Sequence, residues 1–182
     1  MNGLPADDAS GKDRRSTVDV EAASLRSVVE SDLPLLRAHR NKESTRRWLE
    51  HQSLITEAQQ NVWYQGGGAV ALRIIEYQGK PIGLARIDSS GANEVLVGLD
   101  VFEQYRGMGL GCSLFRLVCS EAAKLGSPLA LWVFAENLPA VSIYRKSGFV
   151  EDPNFPVRYL PRIAPEGDPD ALHPYVKMVF QE

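Results

Sequence analysis

The stretch Gln104-Tyr105-Arg106-Gly107-Met108-Gly109-Leu110-Gly111 joins a segment with strand character to a segment with helical periodicity. Its three glycines let the backbone approach a ligand without obstruction by side chains. Exposed N–H groups and the positive end of a helix dipole at such a junction favour an anion. The motif is neither a dinucleotide-binding fingerprint nor a Walker loop, because Gly-x-Gly-x-x-Gly and Gly-Lys-Ser/Thr are both absent. The glycines alone leave open an anion-binding loop and an ordinary glycine-rich turn.

The residues after this loop change from helical periodicity to the pattern of a buried strand. Apolar residues recur at helical spacing from Leu110 to Leu125, and Gly126-Ser127-Pro128 ends the predicted helix. The continuously apolar run from Leu129 to Phe134 is typical of a central strand covered on both faces. A strand, a crossover helix and a second buried strand predict a parallel pair.

The rest of the chain predicts an antiparallel meander and short helices. Strand-like runs at 69–77, 82–88 and 94–101 are separated by short turns. The other predicted elements are a strand at 25–29, a helix capped by Ser31 or Asp32 and ended by Asn41, a helical stretch with Trp48 and Leu49, a helix opened by a Thr56–Gln59 capping box, a helix at 137–146, and strands at 149–150 and 175–180. Residues 1–22 are expected to be a mobile tail, which leaves 23–182 as a single domain.

The composition excludes several classes of partner. The 182 residues, 44% of them hydrophobic, are sufficient for one domain with a sizeable core. A net charge of −3 and a pI near 5.7 provide no broad cationic surface, so neither nucleic acid nor an anionic membrane is expected as a partner. No apolar run reaches the roughly 18 residues of a membrane span, and no signal-peptide run opens the chain. A cytoplasmic location is therefore expected.

The two cysteines, Cys112 and Cys119, are predicted to lie on one helix, about 10 Å apart at 1.5 Å per residue. That separation is too large for a mutual disulfide, and the spacing is not that of a zinc site. We therefore expect buried thiols and no metal. A cysteine nucleophile is disfavoured because none of His39, His51 and His173 is placed by the sequence as its partner.

A second informative stretch is Asn137-Leu138-Pro139-Ala140-Val141-Ser142-Ile143-Tyr144-Arg145-Lys146-Ser147-Gly148-Phe149. Its positions 137, 140, 144 and 148 follow spacings of three and four, which place them on one side of a helix. Taken alone, Tyr144 is typical of a core aromatic residue whose hydroxyl group is hydrogen-bonded.

Arg106-x-x-Gly109-x-Gly111 resembles the Arg/Gln-x-x-Gly-x-Gly/Ala signature of the GCN5-related N-acetyltransferase (GNAT) family. The second stretch is similar to that family's Asn-x-x-Ala-x-x-x-Tyr-x-x-x-Gly-Phe pattern, and the predicted element order resembles the family from about 24 to 180. The resemblance implies an α/β (α+β) fold. Its mixed, mostly antiparallel sheet would have about seven strands, with a parallel pair at the cofactor cleft and helices on both faces.

The same resemblance implies acetyl-CoA as cosubstrate, without a metal, and an N-acetyltransferase activity. The implied cofactor-binding residues are the loop amides for the pyrophosphate, two strand residues for the pantetheine, and two positions of the second motif: Arg106, Gly107, Met108, Gly109, Leu110, Gly111, Leu99, Val101, Asn137 and Ala140. Tyr144 is implied to be the acid that protonates the departing thiolate. A non-catalytic acyl-CoA-binding module is the competing class, and the presence of Tyr144 favours the enzyme.

The reaction implied is direct attack of an amine on the thioester carbonyl, which strand amides near Val101 could polarise. The base is left open between three candidates. We choose Asp100, ahead of Glu94, because both oppose Leu99 and Val101 on the strand and could face the substrate. A chain of water molecules would need no dedicated residue.

The acceptor is the least determined feature. The residues 37–49, with Ile55-Thr56 and Gln60-x-x-Trp63, resemble the branch of the family that acts on protein N-termini and nucleotide-linked amino sugars. Their charges are typical of a solvated helix face, although Arg40 or Arg46 could bind a phosphate or carboxylate. The Pro-rich connection 151–174 is predicted to border the acceptor site. We expect an amino sugar or other small amine ahead of a protein N-terminus, and a homodimer stays open.

Overall fold

A mixed sheet dominates the computed structural model, which describes residues 22–91, 93–163 and 171–181. In that part of the chain the eight strands are β1 (Ala23–Ser27), β2 (Leu72–Tyr77), β3 (Lys80–Asp88), β4 (Val95–Val101), β5 (Leu129–Phe134), β6 (Phe149–Glu151), β7 (Arg158–Pro161) and β8 (Leu172–Phe180). Their order is β1-β2-β3-β4-β5-β8-β6, and β7 pairs with β8. Only β4 and β5 are parallel among these neighbours, so the predicted fold class and parallel pair are confirmed.

The helices cover both faces of this sheet. They are α1 (Leu33–Asn41), α2 (Glu43–Arg46), α3 (Glu57–Gln65), α4 (Gly111–Ala123) and α5 (Leu138–Lys146), with 3-10 turns at Glu30–Asp32 and Glu103–Tyr105. The end of α1 at Asn41 and the Thr56 capping box of α3 are confirmed. No helix among the described residues is long and apolar enough to cross a membrane.

Two predictions about the amino-terminal helices are wrong in detail. The second helix ends at Arg46, and Trp48 and Leu49 follow it in a turn. The Asp32 side chain does not cap α1, because its carboxylate accepts instead from Arg26 and from the backbone N–H of Val29. An arginine on the neighbouring strand thus competes successfully for the capping carboxylate.

The core has one cluster on each side of the sheet, as the burial of two adjacent residues shows. Ile74 and Ile75 are both completely buried, although successive side chains of a strand point to opposite faces. Ile75 packs in the cluster that includes α4 and α5, and Ile74 packs in the cluster that includes α1. Strand β5, which is continuously apolar in sequence, is likewise covered on both faces.

The parallel pair separates soon after it begins. β4 and β5 pair only at Val95↔Leu129 and Leu96↔Ala130. Beyond that point β4 stays paired with β3 as far as Val101, while β5 stays paired with β8 as far as Phe134. The carboxyl ends of β4 and β5 therefore diverge and leave a gap between the two strands. Each of the two strands has one backbone edge that faces this gap without a partner strand. This gap positions the candidate site.

The long Pro-rich connection is partly ordered as a strand. Its residues Arg158–Pro161 form β7 and pair with the first half of β8, which begins at Leu172 and is longer than predicted. This extra strand makes the sheet eight-stranded where about seven strands were predicted. The middle of the connection, 164–170, lies outside the described residues, as does the predicted tail except for Ala22.

Candidate functional site

The glycine loop before α4 presents backbone amides to open space. Gly107 and Gly109 have φ angles of 77° and 76°, which L side chains rarely adopt, and a Cβ atom added to either would meet nothing within 4 Å. Leu110, the N-cap residue of α4, makes no side-chain capping bond. The first N–H groups of the helix therefore lack a side-chain cap, and the space in front of the loop suits an anion.

Two side chains of the predicted loop turn away from that space. Leu110 is buried in the core. The Arg106 guanidinium donates to Val101 O at 2.8 Å and to Thr45 Oγ1 and Asp100 Oδ1 at 3.0 Å each. These contacts tie the loop to the end of β4 and to α2. Both residues can therefore serve a phosphate group through their backbone amides.

Gly111 lies where α4 meets α5. A Cβ atom at this position would lie 2.4 Å from Ile143 Cδ1, so the absence of a side chain lets α4 approach α5. Replacement of Gly111 by a bulky residue therefore tests this packing before it tests any ligand.

We expect Gly111→Ala to lower the free energy of unfolding by about 1 kcal/mol, at the low end of the cost of overpacking, because the nearest atom, Ile143 Cδ1, is the end of a flexible side chain. Thermal or urea denaturation measures this loss. The double variant with Ile143→Val removes the Cδ1 atom nearest to the added methyl group and should recover a large part of the stability. Equal losses in the single and double variants would show that Ile143 is not the obstacle.

The free edge of β4 supplies further polar backbone groups. Val95 N bonds to Pro128 O on the β5 side, whereas Phe102 N bonds to Ile82 O on the β3 side, each at 2.9 Å. Because backbone groups alternate along a strand, the odd-numbered residues Leu99 and Val101 face the gap. The Val101 carbonyl oxygen accepts a hydrogen bond from Arg106 Nε. The Val101 N–H and both backbone groups of Leu99 thus point into the gap.

Helix α5 carries the second predicted group of site residues. Asn137 is its N-cap, and its Oδ1 atom accepts from Ala140 N at 3.4 Å. Tyr144 is 7% exposed, and its ring centroid lies 4.7 Å from that of Phe115. None of the hydrogen bonds formed among the described residues uses the Tyr144 hydroxyl. Burial, followed by the charge of Asp100, raises the pKa of this hydroxyl above the usual value, so it stays protonated at neutral pH.

The carboxylate of Asp100 is engaged at both oxygens. Oδ1 accepts from Arg106 at 3.0 Å, and Oδ2 lies 2.7 Å from His39 Nε2. His39 is buried, its ring centroid lies 4.7 Å from that of Phe102 with the two rings tilted by 54°, and its Nε2 atom lies 3.4 Å from Thr45 Oγ1. The site thus contains a network that runs from α1 through the end of β4 to the loop.

Two histidines have carboxylate partners that were not predicted from the sequence. His39 pairs with Asp100, and His173 Nδ1 lies 2.8 Å from Glu136 Oε2. The signal for His39 was present in the sequence, because it follows Leu36 by three residues on the buried face of α1. Neither histidine contacts a cysteine among these pairs. Burial raises the pKa of the Cys119 thiol to about 12, which disfavours the nucleophilic thiolate.

Glu94 lies at the wrong end of the strand. It precedes β4, whereas the gap opens at the carboxyl end, roughly 20 Å away at 3.3 Å per residue. Its carboxylate pairs at 2.6 Å with the buried Lys177. This position excludes Glu94 as the base for a reaction in the gap. No group of three or more potential metal ligands occurs within the described ranges.

Aromatic side chains line the sheet on the side opposite α4. Trp132 and Tyr175 stack with centroids 5.6 Å apart, and Phe134 lies 4.8 Å from Tyr175. The Arg158 guanidinium of β7 lies over Trp132 at 5.2 Å and pairs with Glu50. Strand β7 and the segment after α2 thus meet beside the end of β5, where an acceptor could approach the gap.

The splayed strands, the open glycine loop and the uncapped helix define a site for an elongated ligand with an anionic group at one end. The chain belongs to the acetyltransferase (GNAT) family, whose family model matches residues 33–149. The predicted family and the predicted enzyme class, an acetyl-CoA-dependent N-acetyltransferase, are thereby confirmed.

Solved structures with the same fold support this assignment. The spermidine N-acetyltransferase of Vibrio cholerae, solved with CoA and spermine, aligns with a TM-score of 0.75 and 17% identity, over 88% of this chain and 95% of that one. AAC(6')-Ib, solved with ribostamycin and coenzyme A, aligns with a TM-score of 0.65 and 19% identity, over 86% and 92% of the two chains. Among curated proteins, none is similar enough in sequence to count as a match.

Proposed function

We propose that this chain transfers the acetyl group of acetyl-CoA to the primary amine of a small molecule by direct attack. The observation that carries the proposal is the gap between β4 and β5, which is bordered by the open glycine loop and approached by the buried Tyr144. Spermine and ribostamycin in the two similar structures are small amines, which supports an amino sugar or another small amine as acceptor. A protein N-terminus is the alternative.

The residues around the gap fit the cosubstrate. The open faces of Gly107 and Gly109 and the uncapped start of α4 suit the pyrophosphate, with amides contributed along 106–111. Leu99 and Val101 suit the amides of the pantetheine arm. Asn137 and Ala140 border its path at the start of α5. When bound, acetyl-CoA would supply the acetyl group as an activated thioester.

Two groups of the chain would act on the reacting atoms. The Val101 N–H, unpaired by β5, would polarise the carbonyl oxygen on which negative charge develops. Tyr144 would donate its proton to the sulfur atom as the carbon–sulfur bond breaks. The acceptor amine would lose its own proton to water. An amide bond between the acceptor nitrogen and the acetyl carbonyl carbon, and the free thiol of CoA, would result.

We expect Asp100 to act through Arg106, because both carboxylate oxygens are engaged. Asp100→Asn should then lower kcat/KM for acetyl-CoA by about fivefold, the upper range for a partly exposed ion pair, while leaving the acidic limb of the pH profile unchanged. Steady-state rates across pH measure both. Loss of the acidic limb would instead identify Asp100 as the base.

A thiol-release assay over a panel of amines tests the proposed function. Release of CoA that depends on an added amine, with the acetylated amine detected by mass spectrometry, is the expected result. Tight CoA binding without turnover on any amine or peptide would favour the non-catalytic module. The prediction that 151–174 borders the acceptor is supported by the place of β7 beside Trp132 and Tyr175. The single domain at 23–182, the cytoplasmic location and the homodimer stay predictions.

A further inference from the structure

Four buried nitrogen atoms on the acceptor side of the sheet have no hydrogen-bond partner among the described residues. They are Arg40 Nη1, Arg46 Nε, Arg162 Nε and His173 Nε2. A buried polar group without a partner costs free energy and calls for a ligand, an ion or water to explain it. We refer to Arg40, Arg46 and Arg162 as the arginine cluster.

The first two members of the arginine cluster are neighbours. Arg40 donates to His51 O, and Arg46 Nη1 donates to Gln52 O at 2.9 Å. Burial and then the positive charge of Arg46 lower the pKa of Arg40. The two positively charged side chains are therefore held close together, because the carbonyl groups that they contact belong to the adjacent residues His51 and Gln52. Carbonyl oxygens carry no full charge, so these contacts do not neutralise the arginines.

Arg162 contacts the same segment of the chain. Its guanidinium stacks at 4.6 Å over Trp48, and its side chain is only 9% exposed. The residues on either side of it are tied to Gln52, which donates to Pro161 O at 2.8 Å and accepts from Ile163 N at 2.6 Å. All three arginines therefore contact the segment 48–52, at His51, Gln52 and Trp48 respectively.

The charges of this region do not balance. Glu136 accepts from Arg162 at 2.6 Å and faces His173 at 2.8 Å, so this single carboxylate serves two basic groups. The nearby Arg158 and Lys42 have their own carboxylates in Glu50 and Glu103. Arg40 and Arg46 form no salt bridge within the described part of the chain. Among the residues that the structure describes, a surplus of positive charge therefore remains at the cluster.

The arginine cluster lies next to the transfer site. Thr45, the residue before Arg46, accepts from Arg106 of the glycine loop at 3.0 Å. Glu136, the partner of Arg162, immediately precedes Asn137, the N-cap of α5. The cluster is thus placed between the loop and the end of β5, on the side from which an acceptor would enter.

We propose that the acceptor amine carries an oxyanion, a carboxylate or a phosphate, and that the arginine cluster binds it. This inference rests on the proposed function and narrows its substrate class. Guanidinium groups bind such oxyanions through paired N–H donors, and three of them have a donor without a partner. An acceptor that is only cationic, such as a polyamine, would add positive charge to this surplus and be disfavoured.

Oxyanion binding can be measured without turnover. Thermal unfolding of the CoA-saturated protein is followed with inorganic phosphate or acetate at constant ionic strength, so that the loop is already filled. We expect the midpoint of the wild-type protein to rise by about 3 °C at ten times the Kd of the effective anion. Arg46→Gln should abolish the rise, and Arg40→Gln provides a second variant if the first does not fold. A response to phosphate alone indicates a phosphate-bearing acceptor, and a response to acetate indicates a carboxylate.

Arg37→Gln is the matched control, because Arg37 lies on α1 but contacts Gln60 and Glu57. It should keep the full response to the anion. Absence of any response in the wild-type protein, or the same response in Arg46→Gln, would overturn the inference whatever the enzyme acetylates.

Acceptor pairs test the same inference by kinetics. Glucosamine 6-phosphate is compared with glucosamine, methionine with methioninamide, and spermidine serves as the cationic reference. We expect at least a tenfold higher kcat/KM for the anionic member of one pair, reduced to near unity by Arg46→Gln. Preference for the neutral amines or spermidine would overturn the inference and leave the acetyltransferase proposal intact. Anion binding without turnover on any amine would support the anion site and count against the acetyltransferase proposal.

Discussion

Replacing Tyr144 by phenylalanine is expected to lower kcat about 100-fold, near the lower bound of the contribution of general acid catalysis. The ring packs against Phe115 in the core, so the variant keeps the buried surface and removes only the proton donor. Burial raises the pKa of this hydroxyl, which keeps it protonated across the neutral range in which the enzyme is assayed. Rapid-quench or steady-state rates under conditions where chemistry limits turnover measure the effect.

The Kd for CoA and the unfolding midpoint should stay close to those of the wild-type protein. Tyr77→Phe is the matched control, because Tyr77 lies on β2, two strands away from β4, and its hydroxyl group accepts from the Gln78 side chain. It should turn over normally. Wild-type kcat in Tyr144→Phe would show that the hydroxyl is not the acid and would favour the non-catalytic alternative.

Gly109→Val is expected to weaken CoA binding at least 100-fold, roughly the effect of losing 3 kcal/mol. Two causes act together. The φ angle of 76° strains any β-branched residue, and the added side chain would extend into the open space where the pyrophosphate is proposed to lie. Isothermal titration calorimetry with CoA measures the change.

Gly79→Val separates these two causes. Gly79 lies in the turn between β2 and β3, has a φ angle of 70° and, like Gly109, has nothing within 4 Å of an added Cβ atom. Both variants should lose similar stability, about 1–3 kcal/mol, from backbone strain. Only Gly109→Val should lose CoA affinity. Equal CoA affinities in the two variants would show that the pyrophosphate does not bind at the loop.

The parts of the site predicted from sequence are those specified by local spacing. The helix with Asn137, Ala140 and Tyr144 on one side was predictable because a helical repeat depends on neighbours three and four residues apart. The same holds for the capping box at Thr56. The parallel pair was predictable because a buried strand after a crossover helix leaves few alternatives.

The contacts that cross between distant segments were not predictable in this way. Asp100 contacts His39, which is 61 residues away in sequence, and Arg106, which is six residues away. The sequence indicated Asp100 as a candidate base, whereas in the structure both of its carboxylate oxygens are engaged by these two residues. Glu94 and Asp100 share one face of the strand and looked alike in sequence. Only Asp100 is near the gap, because β4 and β5 separate after Leu96 and the gap opens at the carboxyl end of β4.

The motifs of the sequence determined the family by resemblance, and short-range periodicity determined most of the strands and helices, including the helix that follows the glycine loop and the helix that carries Tyr144. The tertiary structure alone decided where β4 leaves β5, that Arg106 turns back to Val101 and Asp100, and that three arginines from α1, α2 and the residue after β7 contact one segment. Side-chain partners and burial arise from the packing of segments far apart in the chain, and charge has a functional meaning only once its neighbours are known.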